Sequence, residues 1–278
     1  MTLSQMRQLL AARGIRLTRS LGQNFLHDGN QLRKLIELAE ITPKDRVLEI
    51  GPGLGVLTGR LAATAGEVLA IEKDVRLLEL LRERMGQTPN LHLLHGDALE
   101  YLKAEARDWS DWKLVSNLPY SVASPILVEL AQSPNRPQRM VCTVQLEVAR
   151  RLMAGPKNPD YGLLTLLIQL DYTPGGWFKI PATCFFPEPN VDSAGICLLR
   201  RSAPLVSDAI RPLFVTLVRQ GFSQRRKTFI KLLKQHWPAD TLETAFKDLS
   251  LAMSCRAEEL SLQQFAALAT RLAENKNR

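Results

Sequence analysis

The sequence predicts an α/β fold, a mainly parallel sheet carrying helices, followed by a small all-helical domain. Two patterns point to it. From residue 31 to about residue 200, amphipathic helical stretches alternate with short β-rich runs, the signature of βαβ units and a parallel sheet. Beyond Arg201 the strand signals stop and only helical stretches follow. Size and composition agree, since 278 residues with 45% apolar and 23% charged residues describe a globular chain that can bury a core. At roughly 100–200 residues per domain, that length suits two domains.

The elements follow in order. QLRKLIELAEI, from Gln31, has helical spacing; RVLEIG is a strand, GVLTGRLAATA a helix, EVLAIEK a strand, VRLLELLRERM a helix and NLHLLHGD a strand. KLVSNLPY and MVCTVQ are further strands, and a helix is expected from Leu146 to Ala154. LLTLLIQLDYTPGGWFKI and SAGICLLRR are expected as strands that could form an antiparallel edge on a mixed sheet. Pro181 to Pro189 is a proline-punctuated loop. Helices are then expected from Ala209 to Gly221, Arg225 to His236, Thr241 to Leu249 and Ser261 to Asn275. A boundary near residue 202 gives domains 1–202, with a basic arm over residues 1–30, and 203–278.

Composition narrows the function classes. The longest uncharged stretch, Leu114 to Val128, is broken by Asn117, prolines and serines and falls short of the ~20 apolar residues of a bilayer span. MTLSQMRQLLAARGIRL scatters its arginines instead of placing them before an apolar core, so no secretory signal is expected and the compartment expected is the cytoplasm. Cys142, Cys184, Cys197 and Cys255 form no CxxC pair, so buried thiols are expected and no metal site. The net charge of +8 is segregated: residues 1–35 carry +5, residues 36–200 carry −3 and residues 201–278 carry +6. Cationic ends on a slightly acidic middle suit a polyanion, because Lys and Arg displace counterions from phosphates.

The chemistry is carried by strand ends. RVLEI runs into Gly51-Pro52-Gly53-Leu54-Gly55, where glycines permit positive φ and close backbone approach to a ligand. Val56 stands where a dinucleotide fingerprint started at Gly51 needs its third glycine, which disfavours a nicotinamide or flavin enzyme. The spacing Glu49-x-Gly51-x-Gly53-x-Gly55 instead looks like the first motif of S-adenosylmethionine-dependent methyltransferases. Glu72 and Asp97 end the next two strands on the same rim; the first can accept from both ribose hydroxyls and the second from an adenine amino group. The fourth strand ends in Ser116-Asn117-Leu118-Pro119-Tyr120. Asn117 offers a side-chain carbonyl and Leu118 a backbone carbonyl, a pair of acceptors able to hold an exocyclic amine, while Tyr120 offers a flat face for a base.

These residues resemble the rRNA adenine N6,N6-dimethyltransferases, most closely their bacterial small-subunit (KsgA/RsmA-type) branch. The resemblance runs over nearly the whole chain: Gly22-Gln23-Asn24-Phe25-Leu26, EIGPGLGVLT from Glu49, IEKD from Ile71, GDAL from Gly96, NLPY from Asn117, VQLEVARRL from Val144, YGLLT from Tyr161, FFPEPNVDS from Phe185 and FSQRRKT from Phe222. It implies a Rossmann-like S-adenosylmethionine methyltransferase domain in which Asn24, Leu26, Gly51, Gly53, Glu72, Asp97 and Asn117 bind S-adenosyl-L-methionine. It further implies that Asn117 and Leu118 hold the target amine while Tyr120 and Phe185 sandwich the adenine, although Phe185 could equally be a core aromatic with Phe186 beside it. Glu188 and Asn190 stand where the family commonly has proline and lysine, and Phe229-Ile230-Lys231 replaces its leucine-arginine-asparagine run.

Arg7, Arg13, Arg16 and Arg19 precede the Gly22 to Leu26 segment, and Arg225, Arg226 and Lys227 with Lys231 and Lys234 form a second cationic stretch. The spacing from Lys227 through Lys231 to Lys234 predicts one charged helix face, suited to RNA backbone or to solvent. The resemblance implies an enzyme that dimethylates N6 of two adjacent adenines in a small-subunit rRNA hairpin near the 3′ end, within the 30S particle, and a monomer is expected. Three other readings share parts of the pattern: a large-subunit enzyme of the erythromycin-resistance type, a DNA adenine methyltransferase, which Leu118 in place of a proline disfavours, and an RNA-binding assembly factor that retains only the fold.

Overall fold

The computed structural model describes residues 1–18, 21–104, 107–224 and 226–276. The chain divides into two compact units, one of residues Met1–Ala149 with Thr173–Arg200, the other of Arg150–Tyr172 with Arg201–Arg278. The division differs from a single cut at residue 202 by assigning residues 150–172 to the second unit. The reason is burial: Ala154, Tyr161, Leu166 and Leu170 share a core cluster with Phe214, Phe229, Phe246 and Phe265.

In the first unit the strands are β1 (Phe25–Leu26), β2 (Arg46–Ile50), β3 (Glu67–Glu72), β4 (Leu91–His95), β5 (Trp112–Asn117), β6 (Arg139–Gln145), β7 (Tyr172–Ile180), β8 (Phe185–Phe186) and β9 (Ser193–Arg200). The helices are α1 (Leu3–Ala12), α2 (Gly29–Ala39), α3 (Val56–Thr64), α4 (Val75–Met85), α5 (Ala98–Ala104), α6 (Ala123–Gln132) and the start of α7 (Leu146–Met153). Seven strands form one sheet in the order β4-β3-β2-β5-β6-β9-β7, with β2 to β6 parallel and β9 antiparallel to β6. The central strands are apolar runs buried on both faces, as a helix-covered parallel sheet requires.

Strand order reverses between β2 and β5, the topological switch point at which such sheets bind ligands beyond the strands' carboxyl ends. The β2–β5 ladder runs from Arg46↔Trp112 to Leu48↔Leu114, after which one side chain holds the strands together. Ser116 Oγ donates to the Ile50 carbonyl at 2.5 Å and accepts from the Ile50 N–H at 3.3 Å. The strands thus part to open a crevice without leaving these backbone groups unsatisfied.

Two further pieces frame the crevice. Strands β1 and β8 form a small antiparallel ladder, pairing Phe25 with Phe186 and Leu26 with Phe185. Helix α1, closed by a Thr2–Gln5 capping box, buries Met6 and Leu10 against Phe25, Leu54, Leu77 and Leu80.

The second unit is helical, with the rest of α7, α8 (Leu163–Gln169), α9 (Arg211–Gly221), α10 (Phe229–Leu233), α11 (Ala239–Asp248) and α12 (Leu262–Lys276). Two expectations fail here. LLTLLIQ is helix α8 and not a strand: Leu166 and Leu170, one helical turn apart, enter the unit's core, and leucine, which is not branched at Cβ, favours helix. The helix expected from Arg225 to His236 shrinks to Phe229–Leu233, with Thr228 in extended backbone as its N-cap. Lys227 therefore precedes the helix and Lys234 caps its end, so the three-lysine helix face does not form.

Candidate active site

The crevice is a cleft of about 760 Å³, counting space open to solvent. Its floor is the glycine turn, its rim the ends of β3, β4 and β5, and one wall the Leu21–Phe25 segment. Gly51, Gly53 and Gly55 all have positive φ, at 72°, 58° and 76°. A Cβ on Gly53 would lie 2.5 Å from Phe25 Cε1, so the turn and the wall fit only because that atom is missing.

Glu72 is buried, and its oxygens accept from the Gly53 N–H at 3.0 Å and the Asp74 N–H at 2.9 Å. Burial pushes its carboxyl above the ordinary range, against which the amide donors pull it down. Each oxygen keeps a lone pair for a further donor, which suits a vicinal diol. Asp97 meets Lys73 Nζ at 2.7 Å and accepts from the Leu99 N–H at 2.8 Å, and the Lys73 hydrogen bond chiefly holds its carboxyl below the usual range. Ile50, Ile71, Leu77, Leu99 and Ile126 add apolar walls. A cleft of this size with carboxylates on its rim and a Cβ-free cradle fits an adenosine bearing an amino-acid tail.

The acceptor turn is held from both sides. Asn117 Nδ2 donates to the Asn24 carbonyl at 2.7 Å, and Asn117 Oδ1 accepts from Thr143 Oγ1. A carbonyl can only accept, so the Asn24 contact fixes which end of the amide is nitrogen. Oδ1, with one lone pair spent on Thr143, keeps the other for an amine. Pro119 packs across the Gly51 turn, where a Cβ would lie 3.1 Å from its Cγ. The Tyr120 hydroxyl bonds Ser193 Oγ, and burial pushes it up to about 12, which keeps the phenol protonated.

In this site the fold gathers Asn24, Gly51, Gly53, Glu72, Asp97 and Asn117 around one cleft. Leu26 does not line the cleft with its side chain, which is 3% exposed in the core because strand alternation turns it away from Phe25, so only its backbone is left for a ligand. The Leu118 side chain is likewise buried, which leaves its backbone as the part available to a substrate. Phe185 is 3% exposed and meets Tyr120 edge-on, with centroids 6.3 Å apart and planes at 72°. The two rings therefore present no parallel pair of faces, and the core reading of Phe185 is the one its burial supports.

Arg16 is exposed, while Arg19 and Arg225 lie outside the described residues. Arg226, Lys227 and Lys231 are exposed in the second unit. Arg7 lies over the Phe186 ring at 5.4 Å and Arg13 pairs with Glu83, so those arginines have partners within the fold. Sequence reasoning missed Thr143, Lys73 and Ser193. A threonine inside the otherwise apolar MVCTV run and the serine of the PNVDS segment were the available signals.

A model of the family described as ribosomal RNA adenine dimethylase matches residues 14–274. The chain belongs to the ribosomal RNA adenine dimethylase family. Among its relatives in that family, the ribosomal RNA small subunit methyltransferase A of Pelotomaculum thermopropionicum is 40% identical over 276 residues, covering 95% of this chain and 94% of the relative. The protein of that name from Geobacillus kaustophilus is 38% identical over 277 residues, covering 96% and 94%. Among solved structures, a dimethyladenosine transferase from Plasmodium falciparum shares the fold with a TM-score of 0.78 at 23% identity, covering 91% of this chain and 98% of that one. The 23S rRNA methyltransferase ErmE has a TM-score of 0.68 at 29% identity, covering 90% and 99%. Membership makes this dimethylase a methyltransferase, and among the described residues no helix is long and apolar enough to cross a membrane.

Proposed function

We propose that the protein uses S-adenosyl-L-methionine to dimethylate N6 of two adjacent adenines in a small-subunit rRNA hairpin near the 3′ end, acting on the 30S particle during its assembly as a cytoplasmic monomer. The observation that carries this reading is the Asn117 amide, anchored at both ends with an acceptor lone pair left at the mouth of the parted strands. The 35–40% identities to small-subunit enzymes, against 29% to ErmE, support the small-subunit substrate.

In the proposed mechanism Glu72 would accept from the ribose hydroxyls and Asp97 from the adenine amine, and the glycine turn would admit the amino-acid tail. The cofactor supplies an electrophilic methyl group. Asn117 Oδ1 and the Leu118 carbonyl accept the two hydrogens of the target amine, which draws its nitrogen towards tetrahedral geometry and aims the lone pair. No group in the site needs to act as a strong base, because the proton is acidic once the nitrogen is cationic and can pass to water. Positioning and desolvation then supply the acceleration. Tyr120, backed by Phe185, offers a face to the extruded adenine, and Arg16, Arg226, Lys227 and Lys231 are proposed RNA-backbone contacts.

The test is methyl transfer from labelled cofactor to undermethylated 30S and to 50S particles side by side, followed by nucleoside analysis. N6,N6-dimethyladenosine in 30S alone is the expected result, and label confined to 50S would refute the substrate assignment.

A further inference from the structure

The segments containing Gln23 and Asp74 supply residues to the cleft, yet neither side chain has a part in the chemistry so far. The fold joins them across fifty-one positions: Gln23 Nε2 donates to Asp74 Oδ2 at 2.9 Å. Asp74 is 5% exposed and fully engaged. It caps α4 through the Arg76 N–H at 3.1 Å and pairs with the Arg76 guanidinium through Nε at 2.9 Å and Nη2 at 2.6 Å. The other end of Gln23 accepts from the Thr18 N–H at 2.8 Å, and Arg76 reaches the Thr18 hydroxyl at 3.0 Å and the Arg16 carbonyl at 3.1 Å.

This network sits between the two halves of the site. On one side the Asp74 N–H donates to Glu72 at 2.9 Å. On the other, Gln23 immediately precedes Asn24, whose carbonyl orients the Asn117 amide at 2.7 Å. One buried carboxylate thus ties the ribose-side rim to the segment that aims the acceptor. We propose that Gln23, Asp74 and Arg76 form a positioning clamp that holds the Gly22–Phe25 segment in place for cofactor retention and for the orientation of Asn117. The inference rests on the proposed use of the cleft for S-adenosylmethionine. A surface pair exposed on both sides would contribute little, but here the shared carboxylate is buried and each bond to it is charge-assisted.

Donor and acceptor can be exchanged across the clamp, which gives a test that separates positioning from general damage. Gln23→Glu puts a second carboxylate against Asp74, and should speed cofactor release about tenfold or more and slow single-turnover transfer, by the worth of a charge-assisted bond. Asp74→Asn alone loses the charge that pairs with Arg76. In the double variant, the amide introduced at position 74 can donate to the carboxylate introduced at position 23, while its Oδ1 still caps α4 and accepts from Arg76 Nε; the bond from Arg76 Nη2 to Oδ2 is lost, and the Thr18 N–H keeps its acceptor. Cofactor residence time and transfer rate should exceed those of the worse single variant by about threefold or more, the coupling expected of a restored contact, and stay below wild type because the Arg76 Nη2 bond is missing. Stopped-flow displacement of bound cofactor and single-turnover transfer read both. If Gln23→Glu leaves both readouts unchanged, or if the double variant is no better than the worse single variant, the clamp is overturned. If the wild-type protein itself binds no cofactor by calorimetry, it is the assignment of the cleft that fails.

Discussion

Gly53→Ala tests how tightly the glycine turn is built. At φ 58° an alanine carries left-handed strain of ~1–2 kcal/mol. Its Cβ would also lie 2.5 Å from Cε1 and 2.7 Å from Cδ1 of Phe25, a ring held 8% exposed between α1 and the turn. Overpacking of that kind adds ~1–3 kcal/mol, for a total of ~2–5 kcal/mol. Gly14 provides the control: its φ is 60°, yet a Cβ there meets nothing within 4 Å, so Gly14→Ala isolates the conformational cost. Urea denaturation of both variants should therefore show a larger fall in midpoint for Gly53→Ala at unchanged slope. The Gly53→Ala variant should also bind cofactor more weakly, because the Gly53 amide that donates to Glu72 shifts with the turn. Adding Phe25→Leu should recover the steric part as a favourable coupling. Equal losses in Gly14→Ala and Gly53→Ala, with no coupling to Phe25, would refute the argument.

Thr143→Val removes the hydroxyl that holds Asn117 Oδ1 and keeps the shape, so transfer should slow about fivefold, the worth of ~1 kcal/mol, with cofactor affinity unchanged by calorimetry. Glu49 is 1% exposed and burial, the largest cause, raises its carboxyl from the ordinary 4.5 to about 8. Its stabilising influence is therefore complete below pH 4.5 and fades as pH rises to about 8, with a slope of up to ~1.4 kcal/mol per unit. Glu49→Gln should flatten urea midpoints across that window, and an undiminished slope would count against a neutral Glu49. Arg226→Ala with Lys227→Ala should weaken RNA binding and reduce the salt slope by about 0.7 for each phosphate no longer neutralised; filter binding over a salt series reads this, and an unchanged slope removes both residues from the interface.

Much of the site was legible because its chemistry sits at strand ends, where a glycine turn and single carboxylates recur at βα spacing. Glu72, Asp97 and Asn117 all occupy that rim. What escaped was whatever depends on tertiary packing. LLTLLIQ has the same apolar run whether it is a buried strand or a buried helix, and the choice was made by the helical core around Leu166. The Leu26 and Phe185 side chains lie in motifs beside residues that line the cleft, but their pairing in the β1–β8 ladder turns them inward. The partners that aim Asn117, from Asn24 and Thr143, are separated from it by 93 and 26 positions, and only folding reveals them.

The most direct test of the central claim is to measure cofactor affinity and single-turnover transfer to 30S particles in Asn117→Ala. An acceptor aimed at the amine predicts affinity near wild type and a transfer rate lower by ~10²–10³, the cost of removing one positioned transition-state interaction. Transfer at the wild-type rate, or a fall explained wholly by weakened cofactor binding, would contradict it.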